Sequence, residues 1–199
     1  MVQDIDELIN RVAQFTQTSV NPERFSHCVR TAETAQFMCS LYNEDEKLGY
    51  LAGLAHDMCK EMSGIKQVEL AEENGYTLSE LEEKKKLLLH GRSASILLKR
   101  DFGVDNNDVL EAVCYHTFGS KGMCNLAKII YIADKIEPER PHMTWDYVVA
   151  LTRKSLNELT LYILKENISF LREQKKEVAL SSLEFYESLG GVHAQSTTE

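Results

Sequence analysis

The sequence predicts an all-α protein, and three observations carry that prediction. Apolar residues recur at helical intervals along almost the whole of the 199-residue chain. Only three prolines occur, Pro22, Pro138 and Pro141, and they fall where helices start or stop. No long run alternates β-branched and polar residues in the manner of a half-buried strand.

The elements follow in chain order. Residues 4–15 read as a short amphipathic helix. Asn21-Pro22 predicts an N-cap followed by proline at the first helical position. Phe25, Val29, Ala32, Ala35 and Cys39 mark the apolar stripe of the helix it opens, which ends near Tyr42. Asn43 is expected to cap a helix over 44–58 that buries Leu48, Leu51, Leu54 and Ala55. Ser63 opens the next helix, and Asn74-Gly75 stops it. Helices over 81–89, 93–102 and 108–116 come next, the second closed by Gly103 and the third by the loop Thr117-Phe118-Gly119-Ser120-Lys121-Gly122. The helix over 125–137 is the most apolar and stops at Pro138. Helices over 145–150, 155–173 and 182–189 complete the set, and the small, polar tail 190–199 is expected to be loose. Without a repeat or a Gly- or Pro-rich linker, the simplest organisation is one helical domain over 1–189.

Composition excludes some partners. A content of 43% hydrophobic and 27% charged residues fits a folded globular chain and argues against global disorder. A formal charge of −9 argues against a nucleic acid duplex or an anionic membrane held by bulk electrostatics. A polyanion then needs a local device, either a metal or a few well-placed Lys and Arg. The N-terminus lacks the pattern of a secretory signal, and no apolar stretch approaches a membrane span. Five cysteines with no CxxC spacing read as free thiols in a reducing, cytoplasmic compartment.

Six polar residues stand against apolar surroundings: His27, His56, Asp57, His90, His116 and Asp134. Taken singly, a helical histidine is more often a hydrogen-bonded or surface residue than a ligand. Asp134 is harder to dismiss, because it lies in Ile129-Ile130-Tyr131-Ile132-Ala133-Asp134-Lys135-Ile136, where a buried carboxylate is costly without a cation beside it. His56-Asp57 likewise follows Leu51-Ala52-Gly53-Leu54-Ala55. Imidazoles and carboxylates without thiolates are the donors a hard or borderline divalent metal takes.

The order of these residues resembles the HD-domain metal-dependent phosphohydrolases: a His, then His-Asp about thirty residues on, and an Asp on a later helix. His90 and His116 match the members of that superfamily that bind two metals. The segments Arg24-Phe25-Ser26-His27, Leu54-Ala55-His56-Asp57-Met58-Cys59-Lys60, Tyr115-His116-Thr117-Phe118-Gly119 and Ile130-Tyr131-Ile132-Ala133-Asp134-Lys135-Ile136-Glu137-Pro138-Glu139-Arg140 are similar to the YqeK family within it. The resemblance runs from about Asn21 to Ser169. It implies an HD-type helical bundle with a metal-binding core over about 21–140. It also implies two divalent metal ions, iron in the first place with Mn, Co or Zn as alternatives, and symmetrical hydrolysis of diadenosine tetraphosphate to two ADP. His27, His56, Asp57 and Asp134 would hold the first metal. Asp57 would bridge to the second, completed by His90 and His116, and a metal-bridging hydroxide would attack phosphorus.

A tetra-anionic substrate calls for local cations. Lys60, which follows His56-Asp57 by one turn, is the first candidate for a phosphate contact, and with Asp57 the first for a catalytic role. Arg24, Arg92 and Arg140 come next, followed by Thr117, Gly119 and Lys121 in the loop after His116. Each of these has a plain alternative as a solvated charge, a turn cap or a hinge. Two other functional readings stand beside the first: an HD-type 5′-nucleotidase or nucleoside triphosphate hydrolase, and a nucleotide sensor with vestigial activity. The run from Glu82 to Lys86 is expected to be a solvated face, Trp145, Tyr147 and Tyr162 to be packing, and His142 and His193 to be surface residues. Phe170, Leu171, Phe185 and Tyr186 serve either a homodimer or the core.

Overall fold

The structure, a computed structural model, describes residues 4–73 and 75–192. The expectations for His193, for Asn74 and for the tail beyond Val192 lie outside the described residues. Among those residues there are only helices: α1 (Ile5–Ser19), α2 (Pro22–Tyr42), α3 (Glu46–Ala55), α4 (Gly64–Glu73), α5 (Glu80–Lys84), a 3-10 turn (Lys86–Leu89), α6 (His90–Phe102), α7 (Asn107–Tyr115), α8 (Asn125–Ile136), α9 (Trp145–Leu151), α10 (Leu156–Glu173) and α11 (Leu180–Ser188).

Local chemistry sets most of these boundaries. Asn21 caps α2 through its side-chain oxygen, which accepts from Arg24 N at 2.9 Å, with Pro22 following as expected. Asn43 plays a different part from the one its sequence suggested. It adopts a left-handed conformation (φ 58°) that ends α2, and Asp45 caps α3 by accepting from Lys47 N and Leu48 N. Helix α1 runs on to Ser19 because Thr16 is buried there and donates its hydroxyl to Leu54 O at 3.3 Å. Glu82 also departs from expectation. It is buried and closes a capping box with Ser79 at the start of α5, whereas the Glu83–Lys86 stretch beside it is exposed.

Buried apolar residues from Leu8 on α1 to Tyr186 on α11 form one contiguous cluster. Helix α2 packs most extensively on α3 and also meets α8, which in turn meets α7 and α10. The α2–α3 seam is made of small residues: a Cβ added at Gly53 would lie 2.5 Å from Ala32 Cα, inside contact distance. Phe185 and Tyr186 finish this core, whereas Phe170 is 52% exposed. Trp145 and Tyr147 are partly exposed, Trp145 standing edge-on to Phe37 with ring centroids 5.8 Å apart. Among the described residues no helix is long and apolar enough to cross a membrane.

Candidate metal centre

The six residues singled out in the sequence converge on one point between α2, the end of α3, the start of α6, the end of α7 and the last turn of α8. His27 lies in the second turn of α2. Helix α3 stops one residue before His56, and the chain continues in tight turns, with Met58 N bonded to Ala55 O (3.0 Å) and Lys60 N to Asp57 O (2.8 Å). The expected continuation of this helix to residue 58 is therefore replaced by i→i+3 turns. Such turns nearly eclipse side chains three apart, and Lys60 Nζ sits 3.4 Å from Asp57 Oδ1.

Three of the four histidines occupy helix ends. His56 and His116 follow the last residues of α3 and α7, and His90 begins α6 after the 3-10 turn. At helix ends the last carbonyls lack intrahelical partners. The imidazole Nδ1 of each engages the carbonyl three residues back: His56 with Gly53 O at 2.7 Å, His90 with Leu87 O at 2.8 Å and His116 with Val113 O at 2.8 Å. A carbonyl can only accept, so Nδ1 carries the proton and Nε2 presents a lone pair to the centre. His27 Nδ1 instead faces Glu137 Oε1 at 3.1 Å.

The inward nitrogens crowd together. His27 Nε2 and His56 Nε2 are 3.2 Å apart, and His90 Nε2 and His116 Nε2 are 3.0 Å apart. His27 Nε2 lies 3.1 Å from Asp134 Oδ1, and His90 Nε2 3.1 Å from Asp57 Oδ1. Asp57 Oδ1 is buried and accepts no hydrogen bond. Lone pairs facing one another at this distance repel unless a cation lies between them. Two ligands about 2.1 Å from one metal and at right angles stand about 3 Å apart, so the spacing suits edges of a coordination shell. Within the centre, two donor triads are close enough to hold an ion, His27–His56–Asp134 and His56–Asp57–His116. His90 adjoins the second through Asp57 and His116. The donor set fits divalent metals.

Ionisation agrees with that fit. Burial pushes His56 down to about 3, against the opposing pull of Asp57, and lowers His90 as well, so both are neutral donors. Burial opposes charge on Asp57, yet its polar surroundings outweigh it and hold the carboxyl well below its usual range. With His56 and His90 neutral, the cations that face it are Lys60, 3.4 Å from Oδ1, and Arg24, 3.0 Å from Oδ2. Asp134 is held low in the same way, with Lys135 the leading favourable neighbour.

The predicted substrate contacts divide into two groups. Lys60 Nζ reaches His90 Nε2 (3.0 Å), and Thr117 Oγ1 lies 3.2 Å from both His90 Nε2 and His116 Nε2. Arg24 pairs with Asp57 Oδ2 (3.0 Å) and Arg140 with Asp134 Oδ1 (2.8 Å), both half-buried at the rim. Arg92 stands apart, its guanidinium 3.2 Å over the Tyr76 ring. Lys121 is exposed, and Gly119 (φ 72°) lies so close to Phe185 that a Cβ would meet its ring at 2.5 Å, which makes it a packing residue. His142 is exposed as expected.

Three residues escaped the sequence reading. Glu137 is buried beside His27, Arg30 donates to it from Nε at 2.7 Å, and Lys135 Nζ ties Asp134 Oδ2 (3.4 Å) to His116 O (3.1 Å). Their signal was faint. Glu137 directly precedes Pro138 and passes for a helix-end charge, and Lys135 passes for a cation in a last turn.

Known proteins resemble this chain in sequence and in fold. A sequence model of the HD domain family matches residues 24–139. The symmetrical bis(5′-nucleosyl)-tetraphosphatase of Staphylococcus aureus is 30% identical over 82% of this chain and 84% of its own. The protein of the same description from Bacillus subtilis is 31% identical over 78% of this chain and 83% of its own. A crystal structure from Clostridium acetobutylicum, described as a predicted HD superfamily hydrolase involved in NAD metabolism, superposes with a TM-score of 0.83. It is 32% identical and covers 90% of this chain and 95% of its own.

Proposed function

Because this chain belongs to the HD domain family, we propose that it hydrolyses diadenosine tetraphosphate symmetrically, using two divalent metal ions, iron in the first place. The observation that carries the reading is the convergence of four imidazole Nε2 atoms and two carboxylates, each histidine fixed from behind by an acceptor at Nδ1. The names of the two tetraphosphatases supply the substrate. His27, His56 and Asp134 would hold one ion and His90 and His116 the other, with Asp57 facing both. When bound, the ions make water acidic enough to yield a nucleophile near neutral pH and offset charge on phosphoryl oxygens.

The chain's own groups do the rest. Water attacks the second phosphorus and the bridge to the third breaks, so one water and one substrate become two ADP. Asp57, held low beside Lys60 and Arg24, is a good ligand and a poor proton acceptor, so its part is to orient the water. Lys60 and Thr117 lie on the His90–His116 side and are the first phosphate contacts. Arg24 and Arg140 flank the two carboxylates and take the outer phosphates. Arg92, engaged with Tyr76, and Lys121, exposed on its loop, are secondary candidates. Five free cysteines, three of them buried, suit a reducing cytoplasm.

Product analysis tests this reading. A panel of dinucleoside polyphosphates and mononucleotides, resolved by chromatography, should give ADP alone from diadenosine tetraphosphate. ATP plus AMP, or turnover confined to mononucleotides, would overturn it. Metal analysis after anaerobic purification should find two ions per chain.

A further inference from the structure

We propose that Glu137, clamped by Arg30, is a positioning residue that makes His27 the most strongly donating imidazole of the centre. The inference rests on the two-ion reading above.

Three histidines sit at helix ends, where a free carbonyl three residues back fixes the ring. His27 has no such carbonyl. It lies inside α2, where local carbonyls are committed to helical bonds. Its Nδ1 must find an acceptor elsewhere, and it finds one 110 positions away, in the residue that ends α8. That acceptor is a buried carboxylate. Burying a carboxylate is expensive, and a neutral acceptor would have sufficed to fix the tautomer, as it does for the other three rings.

The clamp is complete. Glu137 Oε2 accepts from Arg30 Nε (2.7 Å) and from Glu139 N (3.0 Å), and Oε1 accepts from Arg30 Nη2 (3.3 Å) as well as facing His27 Nδ1. Arg30 also pairs with Glu139 at 3.2 Å. Arg30 is one turn after His27 on α2, so the ring and its clamp share one rigid element. A carboxylate accepting the Nδ1 proton raises the electron density that Nε2 offers to an ion. The ring is thus held in direction and enriched in donor strength.

The test is anaerobic cobalt(II) titration of the metal-free full chain, followed by visible absorption, in the parent, Glu137→Gln, Glu137→Ala and Arg30→Met. Thermal melting of each metal-free chain is recorded alongside, with imidazole ¹⁵N spectra to report the His27 tautomer. In Glu137→Gln one of two equivalents should weaken on the order of 10- to 100-fold while the other is unchanged. Arg30→Met should move the same equivalent in the same direction by less. Glu137→Gln nearly preserves side-chain volume, so it carries the test if Glu137→Ala does not fold. Two equivalents bound by Glu137→Gln as tightly as by the parent would overturn the proposal and leave the two-ion reading standing. So would equal weakening of both with a lowered melting temperature, the mark of a structural role. A parent that binds no cobalt would overturn both readings.

Discussion

The two sides of the centre are built to different rules. On the His27–Asp134 side two of the three donors are backed by charge, with Glu137 and Arg30 behind His27 and with Lys135 and Arg140 on Asp134, while His56 rests on the Gly53 carbonyl. On the His90–His116 side both rings are backed by main-chain carbonyls, and the nearby side chains, Lys60 and Thr117, face inward among the donor atoms. The first side is fastened by Glu137, Arg30 and Lys135, none of which is a phosphate contact in the reading above. The second keeps its polar side chains available to whatever enters. We read this division as a side that retains an ion and a side that first meets phosphate.

The strongest way to break the contrast is to remove what the two sides share. Asp57→Ala should release both ions and lower turnover by more than about 100-fold, as metal analysis and product assays would report. Removing one side alone should sharpen it. His90→Ala with His116→Ala should cost one ion per chain, the other staying on His27, His56 and Asp134.

Acidity offers a third comparison, on the chelator-treated chain. His56 and His90 have folded pKa values below 6.5, so unfolding takes up protons at them as the pH falls through that value. Their effect is a loss of stability below pH 6.5, extending toward about 3 for His56. His27 has a raised pKa, since hydrogen bonds to Asp134 and Glu137 outweigh its burial, and it acts in the opposite sense. Its contribution is present below 6.5 and lost as the pH rises through the folded value. Above the range where the carboxyls titrate, melting of the metal-free chain should therefore fall between pH 7 and 5 by less than His56 and His90 alone would cause, and more steeply in Glu137→Gln. The smallest effect expected is that of Thr117→Val, a loss of one polar contact worth about 2- to 10-fold in turnover, with metal content unchanged.

All six predicted ligands come together, and they were legible because their order along the chain resembles a known family and because Asp134 and His56-Asp57 interrupt apolar stretches. Helix starts at Asn21 and stops at Gly103 and Pro138 were legible for a related reason, since caps and breakers act on their own neighbours. What the sequence concealed is long-range pairing. Glu137 behaves as a surface charge by every local criterion and gains its meaning only from Arg30 and His27, more than a hundred positions earlier. Asn43 and Asp45 compete for one cap within three residues, and the competition is settled by backbone handedness at Asn43. Arg92 follows His90 by two residues, which suggested a phosphate contact, yet its guanidinium lies over the Tyr76 ring.

Gly53 ties these observations to the backbone. Its missing side chain lets α3 lie against Ala32, five residues along α2 from His27, while its carbonyl orients the His56 ring. Separation between two nitrogen donors is thereby gauged by a residue that bears no donor of its own. A single added carbon at that position would wedge the helices apart and change the grip on an ion it never touches. Tolerance for change is consequently narrow at a position with no chemistry to announce it.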